Sequence, residues 1–321
     1  MPKVYICDII EENGINLLRS CGFIIDINKS GKDLTFDELE KVLSSYDAVI
    51  TMVNNKIDER LIKSAARTLK VIANYAVGVD NIDLETSRKK KIVVCNTPGV
   101  ASESVAEHTI ALIFALKKRL FAADNFVRSG RFFKFDPNLF LSRQLWGQTL
   151  GVVGLGGIGT FIAQIAYGGF RMKVLYFDTE RSEDFELIYS AQFCDVETIL
   201  KQADVVTLHV PLTPETRHLI GRRELKLMKN SAILINTARG PIVDEEALIW
   251  ALREKEIGGV ALDVFEHEPQ IDRELFTFDN VIVTPHIASA TIETRQKMSA
   301  IVAQNIIDVF EGKEPAGLVK A

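Results

Sequence analysis

The chain has 321 residues, 47% apolar and 25% charged, enough for full hydrophobic cores and more than one domain of ordinary size. A net charge of −5 offers nothing to nucleic acid or to an anionic membrane surface. No apolar run reaches spanning length, since residues 109–116 end on Lys117, Lys118 and Arg119.

The opening MPKVYICDII carries one Lys and an early Asp rather than the pattern of a secretory signal, so a cytoplasmic protein is expected. Cys7, Cys21, Cys95 and Cys194 are scattered, without CxxC pairs or His at metal spacing. Each is expected to behave as a small buried apolar residue in a reducing compartment, and no resident metal is expected.

In chain order, residues 3–7, 23–27, 48–51, 71–73 and 92–95 read as buried strands. Amphipathic stretches such as 36–43 and 59–66 lie between them, which predicts a mostly parallel sheet covered on both faces. At Thr97-Pro98-Gly99 this rhythm breaks. A long helix is predicted from about Ala101, with Val105, Thr109, Leu112, Ile113, Leu116 and Leu120 on one stripe. Ser104 and Glu107 have capping-box spacing, with a start one turn earlier left open.

Residues 129–146 lack periodicity and read as a surface loop. A second alternating series follows, with strands predicted at 151–153, 173–177, 205–209, 232–236, 259–262 and 281–284. Helices are expected between most of them, for example over 244–255, and a last helix over 291–310. The prediction is an α/β chain with two doubly wound parallel-sheet domains.

The second series opens on LGVVGLGGIG. Gly154-x-Gly156-x-x-Gly159 is a weak signal alone, because glycines also gather in ordinary turns. Here it follows a strand and opens a helical stretch, 158–166, as a dinucleotide cradle requires. The first glycine permits the turn, the second admits a pyrophosphate, and the third lets helix and sheet pack closely. Asp178 ends the next strand, where a carboxylate accepts from ribose hydroxyls and repels a 2′-phosphate. That favours NAD(H). Arg181, three residues on, keeps NADP(H) open.

Further candidates also follow predicted strands. Arg239 lies in INTARGPIVDEEAL, Asp263, Glu266 and Glu268 in VALDVFEHEP, and His286 in VIVTPHIASA. Arg239 can fork onto a carboxylate and polarise a neighbouring carbonyl. His286 can exchange a proton with a carbinol oxygen, and a carboxylate beside it would fix its orientation. Against this, a lone Arg after a strand is ordinarily a solvated charge, and residues 244–246 read as the acidic first turn of a helix. His209 and His267 read as structural or exposed, and His108 and His218 have no partner visible in the sequence.

Taken together, ANYAVGVDNIDL, NTPGVASESVAEHTIAL, GQTLGVVGLGGIG, ADVVTLHVPLTPETRHLI, INTARGPIVDEEAL, ALDVFEHEP and VTPHIASAT make the chain resemble the D-isomer-specific 2-hydroxyacid dehydrogenases over nearly its whole length. The resemblance implies Arg239 as the substrate-binding arginine, His286 as the acid/base and Glu268, before Pro269, as its partner. It implies cofactor contacts from Gly154, Gly156, Gly157, Ile158, Gly159, Asp178, Val210, Pro211, Thr237, Ala238 and Asp263, the last near the nicotinamide carboxamide. Val77 and Gly78 resemble the backbone segment that holds the substrate carboxylate, and Ser289 a serine beside the substrate in some members.

The resemblance further implies a Rossmann cofactor domain over 100–287 and a flavodoxin-like substrate domain from 1–99 with 288–321, closing on substrate. It implies a homodimer to which the long helix contributes. Met52 and Asn74 align with arginines that hold phosphate in phosphoglycerate dehydrogenases, and a chain without a C-terminal regulatory domain is expected. Reduction of glyoxylate or hydroxypyruvate, small unphosphorylated 2-oxo acids, with NADH is therefore expected. Phosphoglycerate dehydrogenase is the alternative enzyme, and an NAD-responsive corepressor the alternative of another class. Arg171 stands where many members have Gly, a surface-turn variation.

Overall fold

The computed structural model describes residues 1–320. The β-branched runs of the first third become β1 (Lys3–Ile6), β2 (Ile24–Ile27), β3 (Ala48–Thr51), β4 (Val71–Asn74) and β5 (Val93–Cys95). Between them run α1 (Glu12–Ser20), α2 (Phe36–Ser45), α3 (Glu59–Ser64) and α4 (Leu84–Lys89). Side chains of Thr35, Asp58 and Asp83 cap the last three of these helices, accepting from otherwise unpaired first-turn amides.

Next come α5 (Ser102–Lys117), α6 (Leu120–Arg128), β6 (Thr149–Val153), α7 (Gly157–Phe170), β7 (Lys173–Phe177), α8 (Glu183–Tyr189) and the two-residue β8 (Gln192–Phe193). The chain continues through α9 (Val196–Gln202), β9 (Val205–Leu208), α10 (Arg222–Leu227), β10 (Ile233–Asn236), α11 (Glu245–Arg253), β11 (Gly259–Leu262) and β12 (Val281–Val283), and ends on α12 (Ile292–Phe310). Residues 129–146 form no helix or strand.

Two compact units result, one of residues 1–101 with 290–320 and one of residues 102–289. The first holds a five-stranded parallel sheet in the order β2-β1-β3-β4-β5, the flavodoxin-like order. Strand alternation divides its core. Val4, Ile6, Ile50 and Ala73 pack under α1 and α12, whereas Val49, Ile72 and Val94 pack under α2 and α3.

The second unit holds seven parallel strands in the order β12-β11-β10-β9-β6-β7-β8, the doubly wound dinucleotide-fold order with one more strand at the far edge. Leu208, Leu234 and Leu262 face one layer with Leu248 and Leu252 of α11. Val152, Tyr176 and Ile235 face the other with Leu112 of α5 and Ile162 of α7. Each fully buried aliphatic side chain contributes about 1.5–3 kcal/mol.

Two local expectations are corrected, and the surface turn expected at Arg171 is present. Ser104 lies buried inside α5, two residues beyond its start, so it does not cap the helix. Cys21 is exposed just after α1, unlike buried Cys7 and Cys95, whose thiols burial pushes up to about 12. Arg171 ends α7 in the left-handed region (φ 47°), where Gly is favoured, and lays its guanidinium over the Trp146 ring at 5.4 Å.

Candidate active site

In the second unit the candidate residues meet because the strands are in step. Phe177, Val153, Leu208, Asn236, Leu262 and Val283 pair in turn along one line across the sheet. Just beyond that line lie Asp178, Gly154, His209, Thr237, Asp263 and Thr284. The strand order reverses between β6 and β9, the switch point outside which doubly wound sheets bind their ligands.

A dinucleotide fits the residues there. Gly154 turns at φ 98°, and a Cβ on it would come within 2.7 Å of the His209 carbonyl. A Cβ on Gly156 would meet nothing within 4 Å, which leaves open space beside the backbone where a pyrophosphate must come close. A Cβ on Gly159 would strike the Gly154 carbonyl oxygen, so that glycine permits the packing of α7. No side chain caps α7, so its first amides stay available to an anion. Asp178 accepts from the Leu155 amide at 2.7 Å and from the Thr179 amide at 2.6 Å, which fixes its carboxylate against the glycine turn.

His209 closes the same turn. Its Nε2 pairs with Thr207 Oγ1 at 2.7 Å, and its enclosed Nδ1 has no hydrogen-bond partner among the described residues. Burial lowers the ring's pKa to about 3, so it stays neutral. Val210 is half-buried and Pro211 exposed. Thr237 is buried with its hydroxyl 3.0 Å from Thr109 Oγ1, beside half-buried Ala238.

Arg239 follows β10 on a loop braced by buried Asn236, which donates to the Arg239 carbonyl at 2.8 Å and accepts from the Ala238 amide at 3.1 Å. Gly240 packs so tightly against the Phe265–Glu266 backbone that a Cβ would overlap it, locking this loop to the one that carries Glu268. Arg239 Nη1 donates to the Ala238 carbonyl at 2.8 Å. Glu268 Oε2 lies 2.8 Å from His286 Nδ1, and its Oε1 accepts from the Phe265 amide at 2.9 Å. Glu266 instead binds Arg217 and His218, at 3.1 and 2.7 Å.

His286 sits in the left-handed region (φ 53°), a strained conformation for a side-chain-bearing residue. Asp263 holds it there. The Asp263 carbonyl accepts from the His286 amide at 2.8 Å. Its carboxylate accepts from Thr284 Oγ1 and from the Ile287 and Ala288 amides, at 2.6, 2.9 and 2.8 Å. Burial pulls that carboxyl upward. Hydrogen bonds from His108, Thr284 and the two amides outweigh it and hold the group below its ordinary value.

Asp263 is 0% exposed, and as folded its carboxylate is engaged by the loop that carries His286. His108 and His218 do have partners, brought by the fold rather than by sequence proximity. His108 Nε2 lies 3.2 Å from Thr284 Oγ1 and 3.6 Å from Asp263 Oδ1. His267 is exposed, and Ser289 is half-buried at the end of this unit. No group of three or more metal-ligating side chains occurs among the described residues.

In the first unit, fully buried Asn74 ends β4. It accepts from Thr51 Oγ1 at 2.9 Å and donates to the Gly78 carbonyl at 2.8 Å. Asn96 donates to the Val77 carbonyl at 2.7 Å. Both carbonyls are thus tied back, while no hydrogen bond engages the Val77 or Gly78 amide among the described residues. Two amides exposed in this way make a turn suited to an anion. Sequence reasoning missed this role of Asn74 and Asn96, and also Thr284, although VTPHIASA was in view.

A glycine-turn dinucleotide cradle beside a paired Glu–His and an Arg defines a nicotinamide-dependent oxidoreductase domain. Residues 110–288 match the D-isomer specific 2-hydroxyacid dehydrogenase NAD binding domain. A glyoxylate reductase from Thermococcus litoralis is 46% identical over 99% of this chain and 96% of its own. The solved TT0316 protein from Thermus thermophilus superposes with a TM-score of 0.92 at 38% identity, over 99% of this chain and 100% of that one. An NADPH-dependent glyoxylate/hydroxypyruvate reductase from Sinorhizobium meliloti, solved with NADP and malonate, gives 0.84 at 28% identity, over 99% and 96%. The chain belongs to the D-isomer specific 2-hydroxyacid dehydrogenase family and is an oxidoreductase acting on CH–OH donors. None of its described helices is long and apolar enough to cross a membrane.

Proposed function

We propose that this enzyme reduces glyoxylate or hydroxypyruvate with NADH, using Arg239, Glu268 and His286. The observation that carries this reading is the 2.8 Å contact of Glu268 with His286 Nδ1, which leaves Nε2 to face a substrate. Bound NADH supplies the hydride to the keto carbon. Arg239 forks onto the substrate carboxylate and polarises the adjacent carbonyl, and His286 Nε2 delivers the proton to the developing carbinol oxygen. Glu268, 2.8 Å from Nδ1, holds the ring's orientation and fixes its tautomer.

The first unit, residues 1–101 with 290 onward, is the proposed substrate domain, and its Val77–Gly78 amides its hold on a carboxylate. The burial of Asn74 supports an unphosphorylated substrate, since a phosphate dianion would find a sealed neutral amide there. Asp178, held against the glycine turn by the Leu155 amide, supports NAD(H) over NADP(H), since a carboxylate there would accept from a ribose hydroxyl and repel a 2′-phosphate.

A cytoplasmic homodimer completes the proposal. Phe121, Val127, Phe132, Phe133, Phe135 and Leu141 are each more than half exposed, an apolar surface suited to a second copy. Sedimentation velocity tests the dimer: a species of twice the chain mass is expected, and a lone monomer contradicts it. Steady-state kinetics over glyoxylate, hydroxypyruvate, pyruvate and phosphohydroxypyruvate with each nicotinamide test the activity. The highest kcat/KM is expected for glyoxylate or hydroxypyruvate with NADH, and a preference for phosphohydroxypyruvate overturns the substrate assignment.

A further inference from the structure

Arg181 is the only basic residue between Asp178 and Tyr189, and so the one cation that this segment offers a 2′-phosphate. It is already engaged. Its Nε and Nη2 donate to Glu186 Oε1 and Oε2, both at 2.8 Å, a bidentate fork. Glu186, in the first turn of α8, is only 16% exposed and also accepts from the Tyr176 hydroxyl at 2.8 Å. Tyr176 is fully buried in β7, two residues before Asp178, and its oxygen accepts from the Ser182 amide at 2.8 Å. A core hydroxyl therefore fixes the carboxylate, and the carboxylate fixes the guanidinium. Hydrogen bonding to Arg181 holds the Glu186 carboxyl below its ordinary value.

We propose that Glu186 is a specificity residue that sequesters Arg181, so that a 2′-phosphate meets the Asp178 carboxylate without the help of that guanidinium. The proposal rests on the reading of the glycine turn and Asp178 as the dinucleotide site. It makes cofactor choice depend on two side chains, one that repels the phosphate and one that withholds its natural partner. A bidentate Arg–carboxylate pair and an Arg–phosphate pair use the same donors, so one forms at the expense of the other.

Calorimetric titration with 2′,5′-ADP and 5′-ADP tests this without turnover. Glu186→Gln keeps an acceptor for Tyr176 but weakens the fork. It is expected to tighten 2′,5′-ADP about 10-fold and to leave 5′-ADP unchanged. Adding Arg181→Ala is expected to abolish the gain. A gain that survives in the double variant reports only a lost negative charge and overturns the proposal, as does an unchanged affinity in Glu186→Gln.

Arg181→Ala alone changes an exposed side chain and guards against a misfolded Glu186 variant. It is expected to alter 2′,5′-ADP binding by less than about twofold, since a sequestered arginine contributes little. A large loss there means that Arg181 already reaches the phosphate, which also overturns the proposal. If 5′-ADP itself fails to bind the unaltered enzyme, the dinucleotide site is misassigned, a result distinct from either.

Discussion

The two sheets are built alike, yet their C-terminal edges are finished with different chemistry. In the first unit the edge carries neutral amides. Asn28 donates to the Cys7 and Lys32 carbonyls, Asn74 to Gly78, and Asn96 to Val77. In the second unit the same edge carries Asp178, His209, Arg239, Asp263 and His286, which titrate or bear charge. One parallel-strand architecture thus ends on bracing amides in one unit and on ionisable groups in the other, the two sets to which the proposed function assigns binding and chemistry. Fold alone fixes neither role.

Breaking the second edge is expected to have the largest effect. His286→Ala removes the proposed proton donor, and turnover should fall about 100- to 10,000-fold while the NADH dissociation constant barely moves. Rate assays with fluorescence titration on one sample check both halves. Asp263→Asn leaves a loop with one fewer charge-assisted acceptor around strained His286. A loss of about 10- to 100-fold in kcat, with a smaller change in KM, is expected from steady-state kinetics.

Breaking the first edge should act on binding. Asn74→Ala strands the Gly78 carbonyl and the Thr51 hydroxyl, at a cost of about 1–3 kcal/mol of stability in denaturant titration. The KM for glyoxylate is expected to rise about 10-fold, with NADH affinity unchanged.

His209 gives the smallest effect and a pH signature. Its folded pKa of about 3 lies below the ordinary 6.5, so the unfolded chain binds the extra proton. Its neutral burial costs nothing above pH 6.5, and stability then falls as pH drops from 6.5 towards 3. By about pH 5 the loss reaches at most about 2 kcal/mol. His209→Gln should remove that component, which unfolding midpoints at pH 7 and pH 5 will register.

The sequence exposed what is periodic or contiguous. β-branched runs marked the strands, and the glycine spacing with Asp178 marked the cradle. α8 and β8 escaped notice because seven- and two-residue elements carry too little periodicity. The choice of Glu268 over Glu266 came from family resemblance, since spacing alone offers both. Partnerships across distant segments were not legible at all. His108 reaches Thr284 across 176 residues, and Asn74 controls a carbonyl through a turn that no propensity scale describes. Such contacts exist only once strands β4, β11 and β12 have taken their places.

The division of labour between the two edges is tested most directly by single-turnover oxidation of NADH at saturating glyoxylate in Asn74→Ala and His286→Ala side by side. Saturation should restore the unaltered enzyme's rate in Asn74→Ala and leave His286→Ala slower by at least about 100-fold. Full-speed turnover in His286→Ala, or a slow Asn74→Ala at saturation, would contradict it.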